Sequence, residues 1–137
     1  QFHHPLVLRA KVEIASACHA FGKVPSHCVV TELRDLQTLR RAAQTAARAL
    51  GYARMWSIHP DQIRTIVEAF APAADEVARA AEIIAAAQAQ AWAPMAHQGI
   101  LHDRASYRYF WQVLERAHRT GRALPPEAQR FFTNTIH

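Results

Sequence analysis

Apolar residues recur at helical spacing along the first stretch of the chain. Leu6, Ala10, Ile14, Ala17 and Phe21 predict one buried face on a helix from Pro5 to Phe21, and Gly22 follows as a natural stop. The pattern then changes. Pro25-Ser26-His27-Cys28-Val29-Val30-Thr31 is a short, β-branched run that reads as a buried strand. A second helical pattern runs from about Arg34 to Leu50, with Leu33, Leu36, Leu39, Ala43, Ala46 and Leu50 on one side and Gly51 at its end. Arg54-Met55-Trp56-Ser57-Ile58 is the second strand. His59-Pro60 breaks it and opens a helix with Ile63, Ile66, Val67 and Phe70 as its stripe, because proline suits the first helical position and pushes the residue before it to extended geometry. Pro72 ends that helix. An alanine-rich helix from about Ala74 to Ala91, a loop from Trp92 to His102, and a last helix from Arg104 to Thr120 follow. The last helix carries Tyr107, Phe110, Trp111 and Leu114 on its apolar face; Gly121 caps it, and Pro125-Pro126 begins an irregular tail.

The order helix, strand, helix, strand, helix, with strands one βα unit apart and apolar rather than alternating, is that of parallel strands covered on both faces. Two such strands cannot protect their own edges, since sheets usually have about five or six. A parallel barrel needs about 250 residues, and this chain has 137. The expected fold class is therefore α/β: the C-terminal half of a TIM (β/α)8 barrel plus a C-terminal helical extension. Residues 1–72 are assigned to the last βα units of the barrel, and residues 73–137 to the extension, for assembly or as a lid.

Composition narrows the setting. Half of the residues are hydrophobic, enough to build a core. No apolar run approaches the roughly 20 residues that span a bilayer, and the polar start at Gln1 lacks an apolar signal segment. A membrane role is not expected. The net charge of +5 comes from arginines scattered among acidic residues, without an aromatic-laced basic cluster, so nucleic acid is not an expected partner either. That excess suits an anionic metabolite. Cys18 and Cys28 sit among apolar neighbours and read as reduced, buried thiols of a cytoplasmic protein. The start at Gln1, with no initiator methionine, suggests a truncated chain.

In parallel barrels chemistry sits at the C-terminal ends of strands. That points to Thr31-Glu32 and to Ser57-Ile58-His59-Pro60. The Ile58-His59-Pro60 step puts a histidine beside a helix N-terminus, where backbone N–H groups favour a phosphate, carboxylate or thioester oxygen. His59 serves equally as a cap or rim filler. Asp103 precedes the last helix and suits its N-cap; a carboxylate held there can also act as a base. Glu32 and Asp35 read as a solvated face. The pairs His3/His4 and His97/His102 lack zinc-site spacing, and the isolated glycines build no phosphate loop.

The segment Leu50-Gly51-Tyr52-Ala53-Arg54-Met55-Trp56-Ser57-Ile58-His59-Pro60-Asp61-Gln62-Ile63 resembles the citrate lyase β-subunit-like branch of the HpcH/HpaI aldolase family, whose motif reads roughly L-G-(F/Y)-x-G-K-W-(A/S)-I-H-P-x-Q-(I/V). Glu68-Ala69-Phe70-Ala71-Pro72 and Leu101-His102-Asp103-Arg104 continue the likeness. Two departures stand out: Arg54-Met55 replaces the family's Gly-Lys, and Pro25-Ser26-His27-Cys28 replaces P-(I/L)-D-G.

The resemblance implies a TIM barrel with a helical extension, assembled with other copies of itself as trimers or hexamers. It implies a lyase that cleaves or forms a carbon–carbon bond in a 3-hydroxyacyl-CoA such as citramalyl-, malyl- or citryl-CoA, giving acetyl-CoA and a 2-oxo acid. Mg²⁺ would polarise the oxo-acid carbonyl, held by residues of the N-terminal half of the barrel and by none in this segment. Ile58 and His59 match residues lining the CoA-thioester site. Asp103 matches an Asp that enters the neighbouring subunit's site and acts as the base on the acetyl-CoA methyl group. The segment alone is expected to be inactive. The competing expectation is a non-catalytic helical interaction or regulatory module derived from this family.

Overall fold

A computed structural model describes residues 3–133. The chain divides into two compact units, Gln1–Phe70 and Ala71–His137.

The first unit opens with helix α1, Pro5–Ala20, which has proline at its start and His4 extended before it. Gly22, at φ +64°, closes α1: its N–H donates to the His19 carbonyl (3.3 Å) and that of Lys23 to the Cys18 carbonyl (2.7 Å). This is the paired Schellman closure that a left-handed residue permits. The expected stripe does not face inward. Lys11 and Ala15 are the buried positions of α1, while Leu6, Ile14 and Phe21 are 70%, 54% and 80% exposed. Lys11 instead points inward, its Nζ 2.8 Å from His27 Nε2 on the next strand.

Strand β1, Ser26–His27, lies parallel to strand β2, Arg54–Met55, in the register Ser26 to Arg54 and His27 to Met55. The Ala53 and Trp56 amides donate to the Pro25 and His27 carbonyls, both at 3.1 Å. The parallel pair is thus present, but far shorter than the two apolar runs suggest, and no barrel closes among the described residues. Pairing extends only where two backbones run side by side. Cys28 is exposed and Cys18 half-buried, which corrects the expectation of two buried thiols.

Helix α2, Leu36–Gln44, passes into a π-helical turn, Thr45–Ala49. The Leu50 amide reaches back to the Thr45 carbonyl (3.3 Å), and the His19 ring nitrogen Nε2 lies 2.7 Å from the Gly51 carbonyl. Helix α3, Pro60–Phe70, buries Gln62, Thr65, Ile66, Ala69 and Phe70. Ile63 and Val67, expected in its stripe, are 54% and 40% exposed. Leu39, Ala43, Ala46, Tyr52, Ile66 and Phe70 make the centre of this unit's core.

In the second unit helix α4, Ala74–Ala89, presents Val77, Ala80, Ala81, Ile84 and Ala87 at helical spacing. Small side chains on that face let helix α5, Arg104–Arg119, pack closely with Tyr107, Phe110, Val113, Leu114 and Ala117. The segment expected as a loop contains a hairpin: β3, Met95–His97, pairs antiparallel with β4, Ile100–His102. Gln98 and Gly99, at φ +50° and +77°, make the two-residue turn, whose backbone twist matches that of the strands. The tail is not wholly irregular, since Pro126–Gln129 forms a turn of helix, α6, and buries Ala128. No helix of the described residues is long and apolar enough to cross a membrane.

Candidate functional site

The two strands of the first unit end beside each other, and Gln62 joins them. Its side chain is 1% exposed. Its Nε2 donates to the Val30 carbonyl at 2.9 Å, and its Oε1 accepts from the Ile58 amide at 3.1 Å. One buried amide therefore satisfies a carbonyl after β1 and an N–H after β2, where no ladder partner is available. The Ser57 hydroxyl donates to the His59 carbonyl at 2.7 Å. These bonds fix the turn into α3 and leave the Ile58 and His59 side chains at the surface, 52% and 47% exposed.

His59 Nδ1 accepts from the Asp61 amide at 3.3 Å and lies 3.5 Å from the Asp61 carboxylate. The first contact uses Nδ1 as an acceptor, which leaves the ring N–H on Nε2. The strand-end histidine can thus present a donor to an oxygen.

A buried network beside this edge went unread in the sequence. Lys11 Nζ lies 2.8 Å from His27 Nε2 and donates to Cys28 Sγ at 3.1 Å. An ammonium can only donate, so Nε2 accepts and His27 Nδ1 carries the proton, donated to the Cys28 carbonyl at 3.0 Å. Burial, and then the Lys11 charge, holds the His27 pKa below the ordinary 6.5. The Tyr52 hydroxyl donates to the Lys11 carbonyl at 3.0 Å, and its ring meets His27 edge-on at 5.0 Å. Burial raises the Tyr52 pKa, aided by Cys28 and Cys18. A lysine on the polar side of the α1 pattern gave no hint that it faced inward.

The remaining acidic candidates serve turns. Glu32 accepts from the Arg34 amide at 2.8 Å. Asp35 caps α2 through the Gln37 and Thr38 amides at 3.0 and 3.1 Å, and the Thr38 hydroxyl hydrogen bond leads the lowering of its pKa. Among the described residues no group of three or more His, Cys, Asp or Glu side chains could hold a metal ion.

In the second unit Asp103 is the N-cap of α5. Its Oδ1 accepts from the Ala105 and Ser106 amides at 3.0 and 3.2 Å, and the Ser106 hydroxyl accepts from the Asp103 amide at 3.0 Å. The cap uses one carboxylate oxygen, and the residue is exposed. Asp103 can therefore close the helix and still offer an oxygen to a proton. His102, next to it, is 3% exposed, both its ring nitrogens lack a hydrogen-bond partner among the described residues, and its ring lies against Phe110 at 5.5 Å.

No family model matches the chain. A citrate lyase from Burkholderia xenovorans LB400 superposes on 97% of it with a TM-score of 0.75 and 57% identity. The chain is related to the citrate lyase β-like proteins. Citrate lyase subunit β-like protein of Deinococcus radiodurans is 39% identical over 85 residues, which is 62% of this chain. L-malyl-CoA/β-methylmalyl-CoA lyase of Rhodobacter capsulatus is 32% identical over 111 residues, 79% of this chain. A CitE protein of Mycobacterium tuberculosis, solved with magnesium, acetoacetate and coenzyme A, matches 84% of this chain with a TM-score of 0.69 and 26% identity. The chain spans 42% of each of those two solved chains and 30% and 35% of those curated relatives. The resemblance read from the Trp-Ser-Ile-His-Pro segment is thereby supported over most of the chain by citrate lyase β-like relatives.

Proposed function

We propose that this chain is the C-terminal portion of a lyase that cleaves or forms a carbon–carbon bond in a 3-hydroxyacyl-CoA such as citramalyl-, malyl- or citryl-CoA. The reading is carried by its curated relatives, which include lyases named for malyl-CoA and citramalyl-CoA. The parallel pair β1–β2 fits the last strands of a TIM barrel, and the exposed α1 face, with Leu6, Ile14 and Phe21, suits burial against the rest of such a barrel. In this proposal residues 1–72 supply those βα units, and residues 73–137 form the extension through which copies assemble as trimers or hexamers, in the cytoplasm.

Cleavage breaks the bond between the thioester's α-carbon and the hydroxyl-bearing carbon. The hydroxyl gives its proton to solvent and becomes the 2-oxo-acid carbonyl, and the bonding pair passes to the thioester as an enolate. His59, with its N–H on Nε2, donates to the thioester oxygen where that charge gathers. Ile58 walls the same edge. Asp103, in the site of a second copy, returns a proton to the α-carbon and takes it in the reverse direction. Magnesium would supply charge at the oxo acid. The described residues assemble no site for it, so its ligands are assigned to the remainder of the parent protein.

The test is an assay of the full-length protein with citramalyl-, malyl- and citryl-CoA. Cleavage of at least one is expected; cleavage of none, with magnesium present, counts against the reading and favours a non-catalytic module. Asp103→Asn keeps an acceptor for the cap, so turnover should fall at least a hundredfold while the thermal midpoint holds. Unchanged turnover removes Asp103 from the mechanism.

A further inference from the structure

A recess of about 530 Å³ lies on the second unit, lined by Trp92, Arg104, Tyr107, Arg108 and Trp111. We propose that it binds a nucleoside diphosphate moiety: a base between the indoles, with its phosphates on Arg104 and Arg108.

Trp92 is placed in an unusual way. Its φ is +64°, and that of Ala91 before it is +52°, a region that bulky side chains rarely enter. Its amide donates to the Ala87 carbonyl at 2.7 Å and its ring rests edge-on against Tyr107 at 6.1 Å. A strained aromatic held half-exposed invites a ligand explanation. Trp111 is braced from behind, stacked on Phe132 at 5.5 Å and edge-on to Phe131 at 5.6 Å. Both rings are thus oriented without a ligand.

Arg104 and Arg108 stand one turn apart on α5, both exposed. Neither has an ion pair among the described residues. Among the described residues no carboxylate lines the recess. Guanidinium groups at this spacing suit adjacent phosphates, which they grip through paired N–H donors. The Tyr107 hydroxyl is already engaged, donating to the Ala93 carbonyl at 2.7 Å. The lining side chains therefore offer chiefly ring faces and positive charge. Stacking of this kind tolerates any base. The volume lies within the range of small-ligand sites.

The test is binding without turnover, so its failure is distinguishable from failure of the lyase reading. Tryptophan emission of the full-length protein is titrated with ADP, GDP, ribose 5-phosphate and coenzyme A. ADP and GDP should quench emission with affinities within about threefold of each other, and ribose 5-phosphate should bind at least tenfold more weakly. Arg108→Ala and Trp92→Ala should each weaken ADP at least tenfold, while Arg122→Ala, outside the recess, should not. Far-UV circular dichroism checks that each variant folds. Displacement of ADP by coenzyme A would identify the diphosphate end of that cofactor as the occupant; coenzyme A binding without displacement would identify a separate nucleotide effector. Absence of quenching at millimolar ADP overturns the proposal, as does an Arg108→Ala variant that folds and binds ADP unchanged.

Discussion

The two units use their apolar residues differently. In the second, α4 and α5 bury Ile83, Ile84, Leu114 and Ala117 completely, and the tail adds Ala128. In the first, Leu39 and Ala43 are just as buried, yet Leu6, Phe21, Trp56 and Ile63 stay more than half exposed. One unit finds partners within itself for most of its hydrophobic pattern; the other leaves much of it open. A hydrophobic pattern tells which residues want burial, and a fold segment need not contain the surface that provides it.

The sharpest break of that contrast is a pair of truncations. Leu114→Ala should cost about 2–5 kcal/mol, since the side chain is fully enclosed and its removal leaves a cavity. Ile14→Ala in this chain should stay within about 0.5 kcal/mol. Urea unfolding measures both. In the full-length protein Ile14→Ala should become costly if the proposed barrel covers α1; equal small effects in both contexts would remove that explanation of the exposed face.

This contrast also explains what the sequence disclosed. Helix ends were readable where glycine or proline marks them, as at Gly22, Pro60 and Gly121, because those residues act locally. The parallel pairing of the two strand regions was readable from their spacing. The inward face of α1 was not, because Lys11 turns in to meet His27, sixteen residues away, and periodicity carries no record of such a partner. The β3–β4 hairpin was missed for a simpler reason: Gln98-Gly99 is a weak turn signal between strands of only three residues each. Of the site, Asp103 as a cap was legible from its position before a helix, and Gln62 was visible only as a letter in a motif.

Gln62 offers a second way to sharpen the comparison, within the first unit. Gln62→Leu fills the same space but leaves the Val30 carbonyl and the Ile58 amide without their partner. The cost should be about 1–3 kcal/mol. Hydrogen exchange at the Ile58 amide should accelerate, while amides of α5 stay protected. Unchanged exchange at Ile58 would mean that the strand ends hold together without this side chain.

The buried network gives a pH signature that belongs to the first unit. The folded His27 pKa lies below 6.5, so the unfolded chain takes up this proton first as pH falls. Stability from this group is fully present above about 6.5 and is lost as pH drops from there to the folded value, after which the loss levels off. Comparing the wild type with His27→Gln isolates it: the variant's stability should vary less between pH 7 and 5. An identical slope in both would show that His27 is not held neutral.

The smallest expected effect compares helix ends. α1 and α5 close on Gly22 and Gly121, at φ +64° and +71°, whereas α4 closes on Ala91 at φ +52°. The hydrogen bonds are of the same kind, Ala91 to Gln88 at 3.1 Å and Trp92 to Ala87 at 2.7 Å. A Cβ makes this conformation unfavourable, so Ala91→Gly should stabilise the second unit, by up to about 1 kcal/mol, partly offset by the extra freedom glycine gives the unfolded chain. If the strain serves to hold Trp92 over its recess, the same change should weaken ADP binding while raising the thermal midpoint. A rise in stability with affinity untouched would separate the two, leaving Ala91 as a helix stop and Trp92 as oriented by Tyr107 alone.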